Sequence, residues 1–323
     1  MNPSSNSSAN REHFSALTPR LMLQLAAPHT WPASIAPVLI ACALSFQTLD
    51  GHALSGFMAC VLLVISILLQ SAVNTINDYF DYVKGTDTRE NQDDPTDAVL
   101  VYNNVNPTQA RTYAIALIVC AFLLGLYVIW YAGIIPLIIA LIGVVIIFLY
   151  SGSKTPISYL PLGEVVSGFT MGGLITLASY QALTGVFDGT VLIWSLPVML
   201  GIALIMLTNN TCDIEKDITA HRQTLPVLLG RKNARSLYHG IIYTWIVLVC
   251  LLVIMHGGGG WIVLPFMLVA VHPIGRALIA NPLIPSSRAG AFAQCTSLNI
   301  ALAAFYAAGL LAYTLPVSFF PLV

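Results

Sequence analysis

The sequence predicts an all-α protein that crosses a membrane nine times. Three observations carry that expectation. The 323 residues are 57% hydrophobic and only 8% charged, where soluble domains carry roughly 25% charged residues, and mean hydropathy is +0.81. The charged residues are not scattered but bound seven long charge-free runs, at 21–49, 51–77, 112–153, 165–187, 189–212, 236–275 and 289–323. With nine spans threaded through those runs, every Lys and Arg falls on one side of the membrane.

A spanning helix needs about 20 apolar residues. Five runs therefore hold one helix each. The runs 112–153 and 236–275 hold two each, with breaks expected at Ala132-Gly133 before Pro136 and at His256-Gly257-Gly258-Gly259-Gly260. Residues 1–20 are polar, lack the apolar core of a signal peptide, and read as a disordered cytoplasmic tail. Residues 21–323 form the nine-helix domain. The 13 basic residues, from Arg11 to Arg288, all lie on the side of the tail, so the positive-inside rule makes that side cytoplasmic. A multi-pass protein of the cell membrane follows. The 13 basic and 14 acidic residues leave a net charge of −1, which gives no basic field for nucleic acid. The six cysteines show no zinc-ligand or disulfide spacing.

Twelve of the 14 acids share the cytoplasmic side; Asp50 and Asp188 are the exceptions. Most sit in two segments, NTINDYFDYVKGTDTRENQDD (74–94) closing span 2 and NNTCDIEKDITAHRQTLPVLLG (209–230) closing span 6. Asn77, Asp78 and Asp81 occupy relative positions 0, +1 and +4, and Asn209, Asn210 and Asp213 repeat that spacing 132 residues later. Position +8 is Asp217 in the second copy and Gly85 in the first, followed two residues on by Asp87. At about 100° per residue these positions share a stripe roughly a quarter-turn wide, which Asn74 joins. An Asp deep in a bilayer costs about 2.5–3.5 kcal/mol on insertion scales, and carboxylates on one stripe repel one another. A divalent cation relieves both penalties. Hard Asp and Asn oxygens suit Mg²⁺, which binds through one or two carboxylates plus substrate phosphates. Two such stripes meeting across a bundle would clamp a Mg²⁺-bridged diphosphate. Helix-terminal acids without a ligand are the alternative. Lys84, Arg222 and Lys154 stand where a phosphate needs cations, or serve as interface anchors.

At these residues the sequence resembles the UbiA superfamily of intramembrane prenyltransferases, from about residue 22 to the end. The likeness rests on NDYFDYVKGTD (77–87), YSGSKTPISYLPLGEV (150–165) and NNTCDIEKDITAHRQTLPVLLG (209–230). Within the superfamily it is most like the 1,4-dihydroxy-2-naphthoate polyprenyltransferases of menaquinone synthesis. The resemblance implies nine helices around a central, lipid-open cavity and Mg²⁺-dependent prenyl transfer. The partners are a polyprenyl diphosphate, an aromatic acid and the bilayer. It implies metal ligation by Asn77, Asp78, Asp81, Asp213 and Asp217, the four aspartates being catalytic. Substrate contacts would come from Asn74, Asn77, Lys84, Asp87, Tyr150, Lys154, Asn209, Asn210 and Arg222. Cys212, Gln223 and Tyr102-Asn103-Asn104 depart from the family pattern, at places where relatives often carry cations or a Ser-Gly-Arg-like turn. Ionisation of the diphosphate leaves a carbocation that aromatic faces stabilise by roughly 0.5–2 kcal/mol each. Tyr79, Phe80, Tyr82, Tyr150 and Tyr159 are the candidates. Glu164 is expected to hold the acceptor or act as a base, or else to be a helix N-terminal acid.

Two other functions fit parts of this pattern. Another acceptor such as 4-hydroxybenzoate is one. A cation-coupled secondary transporter is the other, although its acids belong near the membrane midplane. A CDP-alcohol phosphotransferase requires an Asp-Gly…Ala-Arg string near the first acids, which the chain lacks.

Overall fold

The computed structural model describes residues 14–48, 54–85, 98–151, 153 and 155–314, and among them no β-sheet forms. The helices are α1 (Pro19–Ala26), α2 (Pro32–Thr48), α3 (Gly56–Lys84), α4 (Val99–Asn103), α5 (Pro107–Ala132), α6 (Ile135–Ser151) and α7 (Gly163–Ser167). A π-helical segment, Gly168–Leu174, joins α7 to α8 (Ile175–Thr184). There follow α9 (Val191–Trp194), α10 (Leu196–Cys212), α11 (Ile214–Thr219), α12 (Leu225–His256), α13 (Val263–Ala280) and α14 (Arg288–Leu311).

The breaks lie where the sequence puts them. The run 112–153 splits at Gly133, whose φ of 80° is open to glycine and strained for other residues. The run 236–275 splits at Gly257 and Gly258, both with positive φ. The first span is not straight: Ala27 turns left-handed at φ 46° ahead of Pro28, and the segments Pro19–Thr30 and Pro32–Phe46 meet at 56°. Among the described residues five helices are long and apolar enough to cross a membrane, Gly56–Lys84, Pro107–Ala132, Leu225–His256, Gly258–Ala280 and Pro285–Leu311. The bent pair makes a sixth, while Ile135–Tyr150 and Leu196–Cys212 are shorter apolar helices.

The chain divides into two compact units. The first comprises Met1–Pro28 and Ser71–Ile118. Its core joins Leu25, Val99, Leu100, Val105 and Ala110, with Tyr79, Tyr82 and Tyr113 packed against them. The stretch 14–20, expected in the tail, is ordered here. Ser15 pairs with Val105, and the Leu17 amide donates to Gln109 Oε1 at 2.8 Å. Residues 1–13 of the expected tail lie outside the described residues.

The second unit comprises His29–Gln70 and Val119–Val323. Here α2 packs on α8 and α14, α10 on α12, α14 and the π-helical segment, and α13 on α14. Small residues make the closest approach: a Cβ on Gly172 would stand 2.7 Å from the Met199 backbone, so α10 presses directly on the π-helical turn. Several polar groups inside pair with one another or with backbone, as an apolar surround favours. Tyr238 and Thr208 share a 2.8 Å hydrogen bond, the Tyr306 hydroxyl donates to the Trp194 carbonyl at 2.8 Å, and Asn299 Nδ2 donates to the Gly201 carbonyl at 3.2 Å.

Candidate active site

The first acid cluster closes α3 within the first unit. Here the helix is continuous through Asn74, Asn77, Asp78 and Asp81, as the stripe requires, and ends at Gly85 with φ 69°. The side chains are put to different uses. Asn74 Nδ2 donates to the Ala26 carbonyl at 3.0 Å. Asp78 accepts from the amides of Val99 at 2.9 Å and Leu100 at 3.3 Å, so its carboxylate caps α4, whose own N-cap, Ala98, has no side-chain acceptor. Asn77 is exposed and Asp81 half-buried. Lys84 lies 5.5 Å from the Phe80 ring centroid, while Tyr79 and Tyr82 pack into the core. Asp87 lies outside the described residues.

The second cluster lies wholly in the second unit. Its stripe does not follow one uninterrupted helix: α10 stops at Cys212, Asp213 adopts φ −100° and ψ 17°, and α11 resumes at Ile214. The backbone ladder nevertheless continues. The Asp213 amide donates to the Asn209 carbonyl, and the Asp217 amide to the Asp213 carbonyl, each at 2.9 Å. Asn209, Asp213 and Asp217 thus stack on successive turns.

Each acid has cationic or hydroxyl company. Asp213 Oδ2 lies 3.2 Å from Arg288 Nε at the start of α14. Asp217 is 3% exposed; its Oδ2 accepts from the Thr224 hydroxyl at 3.0 Å and its Oδ1 is 3.7 Å from Arg222 Nη1. Burial pushes the Asp217 carboxyl above the usual range, with Thr224 and Arg222 pulling the other way. The loop after α11 holds Arg222 in place, because its amide donates to the Asp217 carbonyl at 2.8 Å and the Gln223 amide to the Tyr159 carbonyl at 2.8 Å. The guanidinium consequently lies 4.8 Å from the centre of the Tyr159 ring.

Above this loop, Tyr150 and Glu164 complete the constellation. A Cβ at Gly163 would come within 3.4 Å of the Tyr150 hydroxyl. Asn210 Nδ2 donates to Glu164 Oε1 at 2.8 Å. The expected partners Tyr150, Tyr159, Glu164, Asn210 and Arg222 are therefore brought together; Lys154 lies outside the described residues.

Sequence reasoning missed two arginines. Arg288 pairs with Asp213 from 75 residues away. Arg231 grips Glu215 with two bonds of 2.7 and 2.9 Å and donates to the Thr211 and Leu283 carbonyls. Together they bring guanidinium groups to the segment around buried Cys212. Neither had a local signal, since one-sided basic residues look alike to the positive-inside rule.

The donors fit Mg²⁺. Among the described residues no three His, Cys, Asp or Glu side chains converge, so a metal here has no dedicated protein cage. Asn209 Oδ1, however, is buried without a hydrogen-bond partner, one turn from Asp213. An amide oxygen with two neighbouring carboxylates is the partial hard-oxygen set that Mg²⁺ completes with water and phosphate.

The model of the UbiA prenyltransferase family matches residues 34–292. The chain belongs to this family. It is accordingly a prenyltransferase, and its apolar helices belong to a membrane family. It is 32% identical over 255 residues to the 1,4-dihydroxy-2-naphthoate octaprenyltransferase of Bacillus subtilis, covering 77% of this chain and 78% of that one. It is 27% identical over 228 residues to the zebrafish (Danio rerio) UbiA prenyltransferase domain-containing protein 1, covering 70% of this chain and 66% of that one. Among solved structures, a UbiA homolog from Archaeoglobus fulgidus bound to GPP and Mg²⁺ superposes with a TM-score of 0.63 at 17% identity, over 91% of this chain and all of that one. The apo structure of a UbiA homolog from Aeropyrum pernix gives 0.62 at 17%, over 86% of this chain and 96% of that one. At such identity these two establish the fold alone.

Proposed function

We propose that this enzyme transfers a polyprenyl group from an allylic diphosphate to 1,4-dihydroxy-2-naphthoate with loss of CO₂, in a Mg²⁺-dependent reaction. The observation that carries the reading is the stacked set Asn209, Asp213 and Asp217, with the buried amide oxygen of Asn209 lacking a hydrogen-bond partner. The likeness to the Bacillus subtilis enzyme supports the acceptor.

In this reading the second cluster contributes Asp213 and Asp217 to the metal, with Asn209 and Asn210 beside them. The first contributes Asn77 and Asp81, and Asp78 shares its oxygens with the α4 amides. Bound there, Mg²⁺ supplies Lewis-acid stabilisation of the diphosphate leaving group. Arg222 and Lys84 carry phosphate charge, with Lys154 and Asp87 in the flanking loops. The aromatic faces of Tyr150 and Tyr159 stabilise the allylic cation, and the surrounding apolar helices keep water from it. We extend the proposal to nine crossings with the N-terminus and both acid clusters on the cytoplasmic side, supported by the one-sided Lys and Arg pattern. The same reading includes a central, lipid-open cavity for the isoprenoid tail.

The test is incubation of purified protein with Mg²⁺, labelled farnesyl diphosphate and a panel of aromatic acids, followed by mass spectrometry. The expected product is a prenylated naphthoquinol lacking the acid's CO₂, and EDTA abolishes it. Product from 4-hydroxybenzoate but none from dihydroxynaphthoate would overturn the acceptor.

A further inference from the structure

Within the second unit, Asp213 pairs with Arg288 and Asp217 lies 3.7 Å from Arg222, whereas Glu164 is met by the Asn210 amide. It opens α7, where a carboxylate complements the exposed amides of a helix N-terminus. That role leaves a side chain in contact with solvent, yet Glu164 is 4% exposed. Only one of its oxygens is satisfied. Oε1 accepts from Asn210 Nδ2 at 2.8 Å, whereas Oε2 is buried with no hydrogen-bond partner. A buried acceptor left unmet is costly, and in a native fold such an atom calls for a partner such as water, an ion or a bound ligand. Tyr150 on α6 comes close to the start of α7, its hydroxyl 3.4 Å from where a Cβ on Gly163 would stand.

We propose that Glu164 Oε2 binds a ring hydroxyl of the aromatic acceptor and takes its proton during prenyl transfer. This rests on the prenyl-transfer reading above. A negative, anion-lined position next to Asn210 repels the acceptor's own carboxylate and selects its hydroxyl instead. As the ring carbon attacks C1 of the allylic cation, the new C–C bond draws on the O–H electron pair and the proton passes to Oε2. The diphosphate leaves with the electrons of the broken C–O bond. The resulting ring ketone regains aromaticity by losing CO₂ or a ring proton, and Glu164 returns its proton to the product oxygen or to solvent. The Asn210 amide holds the carboxylate so that Oε2, not Oε1, faces the acceptor.

The test compares wild type with Glu164→Gln and Glu164→Asp, each checked for a monodisperse elution profile. Glu164→Gln keeps an acceptor for Asn210 but puts an amide where the proton should go. Its prenyl transfer should fall by about 10²-fold, in the range typical of a lost general base. Binding of a non-hydrolysable allylic thiolodiphosphate with Mg²⁺ should stay within about twofold of wild type. Glu164→Asp, which retains the carboxylate at shorter reach, should recover part of the rate. Should Glu164→Gln not fold, Glu164→Asp alone must show at least about a tenfold loss of kcat with unchanged thiolodiphosphate affinity. Either variant transferring prenyl groups at the wild-type rate would overturn the role of Glu164. Loss of thiolodiphosphate binding in step with activity would overturn it too, by making the residue structural. A wild-type protein that prenylates no aromatic acid would instead overturn the acceptor reading, and this proposal with it.

Discussion

Asp81 and Asp213 sit at corresponding positions of the two clusters, and each carboxylate is partly open. Asp81→Ala or Asp213→Ala should cut prenyl transfer by about 10³-fold or more, because Lewis-acid stabilisation is worth several kcal/mol. Folding should survive, since a partly exposed pair such as Asp213–Arg288 contributes about 0–1 kcal/mol; thermal unfolding in detergent checks this beside the product assay. Asp217 differs. Its carboxyl is shifted upward by burial, so the fold favours the protonated form, and ionisation weakens the unliganded protein as pH rises through that range. Asp217→Asn keeps an oxygen for Thr224 and removes the buried charge. It should raise the melting temperature at pH 8, with the gain shrinking toward pH 4, while abolishing activity. Glu215 runs the opposite way. Arg231 holds its carboxyl below the usual 4.5, so the pair stabilises above that value and the benefit fades as pH falls through the lowered one. Glu215→Gln should cost at most about 1 kcal/mol at pH 7, because the carboxylate is exposed, and nothing measurable at pH 3. The acids were legible in the sequence because their spacing repeats within a few residues. Arg288 was not, since only the folded chain brings α14 beside Asp213.

At the scale of elements, glycine and proline told where helices stop, because a positive φ or a missing amide acts locally. Gly133 and Gly257 behave accordingly. Local composition said nothing of the π-helical turn at Gly168–Leu174 or the pause at Asp213, which depend on what packs alongside. Gly172 reports the reason for the turn: an added Cβ would stand 2.7 Å from both the Met199 amide nitrogen and Cα. Backbone cannot swing away as a side chain can. Gly172→Ala should therefore push α10 from α7 and destabilise the protein by about 1–3 kcal/mol, the usual cost of overpacking. Because α10 carries Asn209 and Asn210, and α7 carries Glu164, transfer should fall together with stability. Gly290, which has nothing within 4 Å of an added Cβ, serves as the control: Gly290→Ala should be neutral or slightly stabilising, since Ala favours an exposed helix. Thermal unfolding of the two variants separates the cases.

For the whole molecule, composition alone was enough to announce an all-helical membrane protein, since so little charge cannot coat a soluble surface. The number of crossings is harder to read. Among the described residues five helices meet the length and hydropathy expected of a span; the others are short, bent or interrupted, as α2, α6, α7–α8 and α10 are. An interrupted span buries its broken backbone against neighbouring helices, so it need not look like an isolated spanning helix. Charge supports the count proposed above. Placing Lys216, Arg235 and Arg276 on the outer face would oppose the bias that orients membrane helices during insertion, and the proposed nine crossings keep them on the side of the tail. In a cysteine-free background, Lys216→Cys and Arg276→Cys should therefore react with a membrane-impermeant maleimide only after inside-out vesicles are prepared. Asp188→Cys, in the turn after α8, should react in intact cells. Labelling of Lys216→Cys and Asp188→Cys from the same face would mean an even number of crossings between Asp188 and Lys216, and the nine-span proposal would have to be abandoned.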